Sequence, residues 1–120
     1  MKILIADDNL DHVITLSALL EADGFDVRAA HRAEDILPLT RAFAPDVCLL
    51  DIGMPRCNGY ETAKKMRAEF GPAPKLIAVT AYATERDRVH AREAGFDLHI
   101  AKPFESPELV AALGRLAAAA

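Results

Sequence analysis

The sequence predicts an α/β fold: a doubly wound, five-stranded parallel sheet with helices on both faces. Three observations carry this. Five short apolar runs recur along the 120 residues, and segments with helical spacing lie between them. The first, third and fourth runs are almost continuously apolar, as strands buried on both faces must be. The resulting β-α unit repeats five times, and such alternation builds a parallel sheet with right-handed crossovers.

The apolar runs cover residues 3–6, 27–30, 47–50, 76–80 and 98–101. In the first helical segment Val13, Leu16, Leu19 and Leu20 fall on one stripe. Gly24, Gly71 and Gly95 each follow a helical stretch, where a left-handed residue is wanted. Two junctions rhyme: Glu21-Ala22-Asp23-Gly24-Phe25-Asp26-Val27 and Arg92-Glu93-Ala94-Gly95-Phe96-Asp97-Leu98. One helix-to-strand solution is used twice. The second helix, over 33–43, contains Pro38, which should kink it or delay its start. The last helix opens with Ser106 as N-cap and Pro107 at the first helical position, where a missing N–H costs nothing. The terminal four alanines end this helix or begin a linker. For five strands the order 2-1-3-4-5 is assigned by analogy with flavodoxin-like sheets. In any such sheet the strand C-termini share one edge, and ligands bind there.

Length and composition set limits. Residues 1–120 suit one domain, and a hydrophobic content of 52% supports a real core. A net charge of -4 argues against direct nucleic-acid binding, which needs a basic face. No apolar run is long enough to insert in a membrane, and the start, Met1-Lys2-Ile3-Leu4-Ile5, is too short for a secretory signal. Cys48 and Cys57 match no metal or redox spacing. Cys48, in an apolar run, reads as a buried free thiol, which fits a cytoplasmic location.

Chemistry gathers at the expected strand ends. Strand one ends in Asp7-Asp8, strand three in Asp51, strand four in Thr80-Ala81, and strand five runs into Lys102. Strands one and three are neighbours in the assumed order, so the three aspartates should converge and raise one another's pKa. A cation relieves that repulsion. Mg²⁺ fits best, being hard, partial to carboxylate oxygen and often completed by a phosphate. Three carboxylates, one lysine and a divalent ion come near neutrality, so the site can accept a phosphoryl dianion. An aspartate nucleophile forming an acyl phosphate is a known kind of covalent chemistry. Each residue taken singly has a plainer explanation. Asp7, Asp8 and Asn9 could cap the first helix, Asp51 could open a turn, Thr80 could be a strand residue, and Lys102 a solvated lysine. Their coincidence on one edge favours a site.

At these residues the chain resembles the response-regulator receiver family, over essentially its whole length. The matching pieces are Ile3-Leu4-Ile5-Ala6-Asp7-Asp8-Asn9, Leu49-Leu50-Asp51-Ile52-Gly53-Met54-Pro55, Asn58-Gly59-Tyr60-Glu61, Ala78-Val79-Thr80-Ala81 and Lys102-Pro103-Phe104. The resemblance implies that Asp51 accepts the phosphoryl group. Asp8 would bind Mg²⁺ directly and Asp7 largely through water, with the Gly53 backbone carbonyl completing the metal site and Mn²⁺ able to substitute. Thr80, Ala81 and Lys102 would hold the phosphoryl group, and the Lys102–Pro103 bond is commonly cis in the family. Thr80 and His99 would form the switch. The phosphodonor would be a histidine kinase or phosphotransfer protein in a two-component phosphorelay. An output domain or partner protein would meet the face of helix four, strand five and helix five.

Two departures stand out. His99 occupies the place usually held by Tyr or Phe, and Gly53 lacks a side chain where relatives often carry a polar one. With Tyr82 shielding the acyl phosphate, Gly53 points to slow dephosphorylation. The wording around Asp51 resembles receivers attached to hybrid sensor kinases.

Three rivals are weaker. A haloacid-dehalogenase-type phosphohydrolase would carry a second Asp where Gly53 stands, and would need a cap domain. A flavin carrier needs a phosphate loop rich in Ser, Thr and Gly, whereas Asp7 and Asp8 repel phosphate. A receiver degenerated to an interaction module would lack the full acidic set. The expected chemistry is thus self-phosphorylation and dephosphorylation within a signalling domain, not turnover of a substrate.

Overall fold

The structure is a computed structural model. It describes residues 1–54, 56, 58–81, 84–102 and 106–119, with the backbone alone for 106 and 117–119. Along the chain, β1 (Lys2–Ala6), α1 (Leu10–Ala22), β2 (Asp26–Ala30), α2 (Ala33–Phe43) and β3 (Val47–Asp51) form the first half. The second half is α3 (Gly59–Phe70), β4 (Lys75–Thr80), α4 (Glu85–Ala94), β5 (Leu98–Ala101) and α5 (Ser106–Ala119). All strand pairs are parallel and the order is β2-β1-β3-β4-β5, as expected.

Successive strand residues feed opposite layers because side chains alternate across a strand. Ile3, Ile5, Val47, Leu49, Ile77 and Val79 pack with Val13, Leu16 and Leu20 of α1 and Leu109, Leu113 and Leu116 of α5. Leu4, Cys48, Leu50, Leu76 and Ala78 pack with Ile36 of α2, Ala63 and Met66 of α3 and Ala91 and Ala94 of α4. Cys48 is fully enclosed, and burial pushes its thiol up to about 12, which makes it inert. Cys57 and the Lys102–Pro103 bond lie outside the described residues, as does the side chain of Ser106.

The two rhyming junctions do share one geometry. Gly24 and Gly95 take φ of +93° and +113°. In each, the glycine N–H returns to the carbonyl three residues back, and the following Phe N–H to the carbonyl five back. This satisfies helix-end carbonyls and turns the chain into the next strand.

Two expectations need correction. Pro38 does not delay α2, which runs continuously through it. An internal proline costs a helix about 3 kcal/mol. Burying Ile36 and Phe43 returns roughly 1.5–3 kcal/mol each, enough to hold the helix. Leu19 does not join the core stripe of α1, being 46% exposed. It lies about 90° round the helix from the centre of Val13, Leu16 and Leu20. Among the described residues no helix is long and apolar enough to cross a membrane.

Candidate functional site

The fold delivers the sequence-predicted residues to one edge. Asp7 follows the end of β1, Asp51 closes β3, Thr80 closes β4, and Lys102 follows β5. The ladder continues just past the strands. Asp7 N–H donates to Ala30 O, Ile52 N–H to Val79 O and Lys102 N–H to Thr80 O, the last at 2.7 Å. The site therefore sits on ordered backbone. Asp7, Asp51 and Thr80 are buried, while Asp8 and Ala81 are exposed.

The carboxylates of Asp7, Asp8 and Asp51 converge, with a ligand oxygen of each within 4.8 Å of the others. Lys102 Nζ donates to Asp51 Oδ2 at 2.9 Å and lies 3.9 Å from Asp7 Oδ2. Asp51 Oδ1 accepts the Gly53 N–H at 2.9 Å. The expected role of Gly53 was its carbonyl. Its N–H bond to Asp51 went unforeseen, since backbone donors carry no side-chain signature. A Cβ at Gly53 would meet Asp51 Oδ1 at 3.5 Å, an ordinary contact, so the glycine here is not forced by crowding. Gly59 is more crowded: a Cβ there would lie 3.1 Å from Ile52 Cα and 2.7 Å from the movable Ile52 Cδ1, so its absence lets α3 start close under the loop after Asp51.

Asp7 and Asp8 do not cap α1. Asn9 is the N-cap, its side chain accepting the His12 N–H at 3.1 Å. That leaves both aspartates to the site. Asp7 Oδ1 accepts the Asn9 N–H at 3.0 Å, and Oδ2 pairs with His12 Nδ1 at 2.8 Å. His12 was missed by sequence reasoning. Five residues separate it from Asp7, which matches neither strand nor helix spacing, and only the Asn9 cap folds it back over the strand end.

Mutual repulsion among carboxylates was expected to raise their pKa values, but Asp7 moves the other way. Burial pushes its carboxyl up. The Asn9 N–H, the His12 bond and the charges of Lys102 and His12 together outweigh burial and hold it below the ordinary value.

His99 sits opposite Ala78 in the β4–β5 register, on the same sheet face as Thr80 and two pairs further back. Its ring is half-buried, and both ring nitrogens lack a partner among the described residues. Burial, then the positive charge of Arg88, holds its pKa below the ordinary value, with Asp87 pulling upward. A groove of about 400 Å³ opens beside it between α4 and β5, lined also by Arg88, Arg92, Phe96 and Asp97. Tyr82 lies outside the described residues.

Comparison with known proteins agrees with this geometry. The response regulator receiver domain model matches residues 3–114, and the chain belongs to that family. It is 41% identical over 110 residues to the transcriptional regulatory protein CpxR of Escherichia coli (strain K12), covering 92% of this chain and 46% of CpxR. The chain thus spans about half the length of the curated relatives it matches. Among solved structures it resembles a CheY-like receiver domain protein from Methanospirillum hungatei JF-1, with a TM-score of 0.87 and 29% identity over 95% of this chain and 90% of that one. It also resembles a Burkholderia pseudomallei response regulator holding a phosphorylated aspartic acid, a calcium ion and citrate. There the TM-score is 0.85 and the identity 28%, over 93% of this chain and 65% of that one. The chain is therefore a receiver domain of a response regulator, a signalling domain of two-component systems. Receiver domains bind a divalent metal in an acidic pocket, and in this chain Asp7, Asp8 and Asp51 cluster at the C-terminal edge of the sheet.

Proposed function

We propose that Asp51 accepts a phosphoryl group from the phosphohistidine of a histidine kinase or phosphotransfer protein. The observation that carries this is the pairing of Asp51 with Lys102 at 2.9 Å beside two further carboxylates. In the transfer an Asp51 oxygen forms a bond to phosphorus as the histidine N–P bond breaks, and the nitrogen keeps the electron pair. The all-oxygen donor set suits Mg²⁺, with Mn²⁺ as a substitute, and the ion supplies charge neutralisation of the phosphoryl oxygens. Asp8, exposed at the pocket mouth, would bind it directly. Asp7 would act largely through water, because each of its oxygens already has a protein partner. The Gly53 carbonyl would complete the set. Lys102 passes from Asp51 to the phosphoryl group, and the Thr80 hydroxyl with the Ala81 N–H binds its remaining oxygens.

The output follows from Thr80. A charged acceptor draws its hydroxyl toward Asp51, and His99, on the same face, turns inward into the space behind it. The imidazole nitrogens have no partner among the described residues, which favours a move that finds them one. The α4–β5–α5 face then changes shape for an output domain or partner. The relatives named as transcriptional regulatory proteins favour an output domain joined to this one over a hybrid kinase. Any nucleic-acid contact would belong to that domain. Residues 1–120 would serve as one domain, working in the cytoplasm.

Incubation with acetyl phosphate and Mg²⁺ should add one phosphoryl mass and shift the His99 ring resonances. Asp51→Asn should abolish both. A variant that gains the mass at the wild-type rate would remove Asp51 from this role.

A further inference from the structure

The two buried carboxylates of the pocket are held in parallel ways. Each ties one oxygen to a backbone N–H two residues ahead: Asp7 to Asn9 at 3.0 Å, Asp51 to Gly53 at 2.9 Å. Each offers the other oxygen to a side-chain nitrogen: Asp7 to His12 at 2.8 Å, Asp51 to Lys102 at 2.9 Å. Lys102 lies between them and is within 3.9 Å of the Asp7 oxygen that His12 engages. Building on the reading of Asp51 as phosphoacceptor, we propose that His12 is a positioning residue: by occupying Asp7 it keeps Lys102 committed to Asp51.

The placement of His12 supports this. It stands in the first turn of α1, where the helix dipole gives a histidine no advantage. Its side chain is 33% exposed, so the ring is only partly covered where it meets Asp7. Below Asp7, Asp51 and His12 lies a cavity of about 10 Å³ whose remaining walls are Ile5, Ala6, Leu16, Leu49 and Val79. That floor offers Asp7 no donor. With His12 gone, the buried Asp7 charge has Lys102 as its nearest cationic side chain in the pocket, and the ammonium moves from Asp51 toward it. Two carboxylates would then share one lysine, and the phosphoryl group arriving at Asp51 would meet a displaced cation. Partners that hold the carboxylates of a metal site commonly matter this much.

The experiment follows Lys102 directly. In the metal-free chain, NMR of the Lys102 Cε and Nζ groups should move in His12→Leu. It should stay near wild type in His12→Asn, whose amide nitrogen stands close to the place of Nδ1. With acetyl phosphate and saturating Mg²⁺, His12→Leu should slow phosphorylation about tenfold, and His12→Asn should restore most of the rate. In an Asp7→Asn background, adding His12→Leu should change neither readout further. An unmoved Lys102 resonance in His12→Leu overturns the proposal. So does a His12→Asn variant that behaves as His12→Leu, or an undiminished effect without the Asp7 carboxylate. If the wild-type chain takes up no phosphoryl group, the phosphoacceptor reading fails instead, and the Lys102 resonance still decides the role of His12.

Discussion

The two edges of the sheet handle charge in opposite ways. At the strand N-terminal edge Arg67, Asp97 and Asp46 are tied down by hydrogen bonds. Arg67 of α3 donates to Gly95 O, Gly71 O, Pro74 O and Asp97 Oδ2, joining the end of α3, the cap of α4 and the starts of β4 and β5. Asp97 Oδ2 also accepts the Leu76 N–H at 2.8 Å. Asp46 accepts the Lys2 N–H at 2.7 Å, and its own backbone bridges β1 and β4. At the C-terminal edge three carboxylates face one lysine and one histidine, an imbalance that an incoming cation would even out. One edge is a clasp; the other holds repulsion in reserve. Stability concentrated at the first allows the second to remain unbalanced.

The largest effect should come from breaking the clasp. Arg67→Met keeps the apolar stem but strips the guanidinium from three carbonyls and a carboxylate, most of them shielded. Leaving a partly buried carboxylate without its cation costs about 3 kcal/mol. The urea midpoint should fall accordingly, while uptake of a phosphoryl group at Asp51 survives under native conditions. A loss below about 0.5 kcal/mol, the range of a plain surface substitution, would mean the clasp is decorative.

Charge removal at the other edge should have the opposite sign. Asp8 is exposed and belongs to the acidic cluster. Asp8→Ala removes a repulsion, so the metal-free chain should melt slightly higher than wild type. It should also lose the stabilisation that Mg²⁺ confers on wild type, because binding to the folded state alone is what raises stability. Equal Mg²⁺-induced shifts in the two proteins would sink the metal assignment.

These edges also differ in how far they can be read from sequence. The strands were legible because apolar runs flanked by helical periods leave little choice of fold. Asp7, Asp8, Asp51, Thr80 and Lys102 were legible because each stands at a strand end, where polar residues break an apolar run. The clasp was invisible. Three of the groups that Arg67 grips are backbone carbonyls, which any residue supplies, so nothing in the sequence marks its partners. His12 escaped for a related reason, since a cap geometry set by Asn9 brings it to Asp7. Pro38 and Leu19 show local rules yielding to packing: one sits inside a helix that burial holds together, the other lies off a stripe it was counted in.

The smallest effect concerns His99, where the unbalanced edge meets the output face. Burial and then Arg88 depress its pKa below 6.5, against an upward pull from Asp87. Arg92, Glu85 and Asp97 also line the groove at its side. The unfolded chain therefore takes up a proton at His99 before the folded chain does. Between the folded pKa and 6.5 the unfolded state holds more protons, so stability rises with pH through that window and levels off above it. Asp7 acts in a separate window. Its lowered pKa contributes stability that is present above 3.8 and lost as pH falls through the folded value. Urea midpoints measured from about pH 5.5 to about pH 7.5 should thus climb in wild type and climb less in His99→Phe. The difference between the two slopes is the quantity to compare, because the rest of the sequence is common to both proteins. Identical slopes would mean that His99 binds its proton equally well folded and unfolded. Its buried nitrogens, without a partner among the described residues, would then cost the fold nothing, and the inward turn proposed for phosphorylation would lose its driving force.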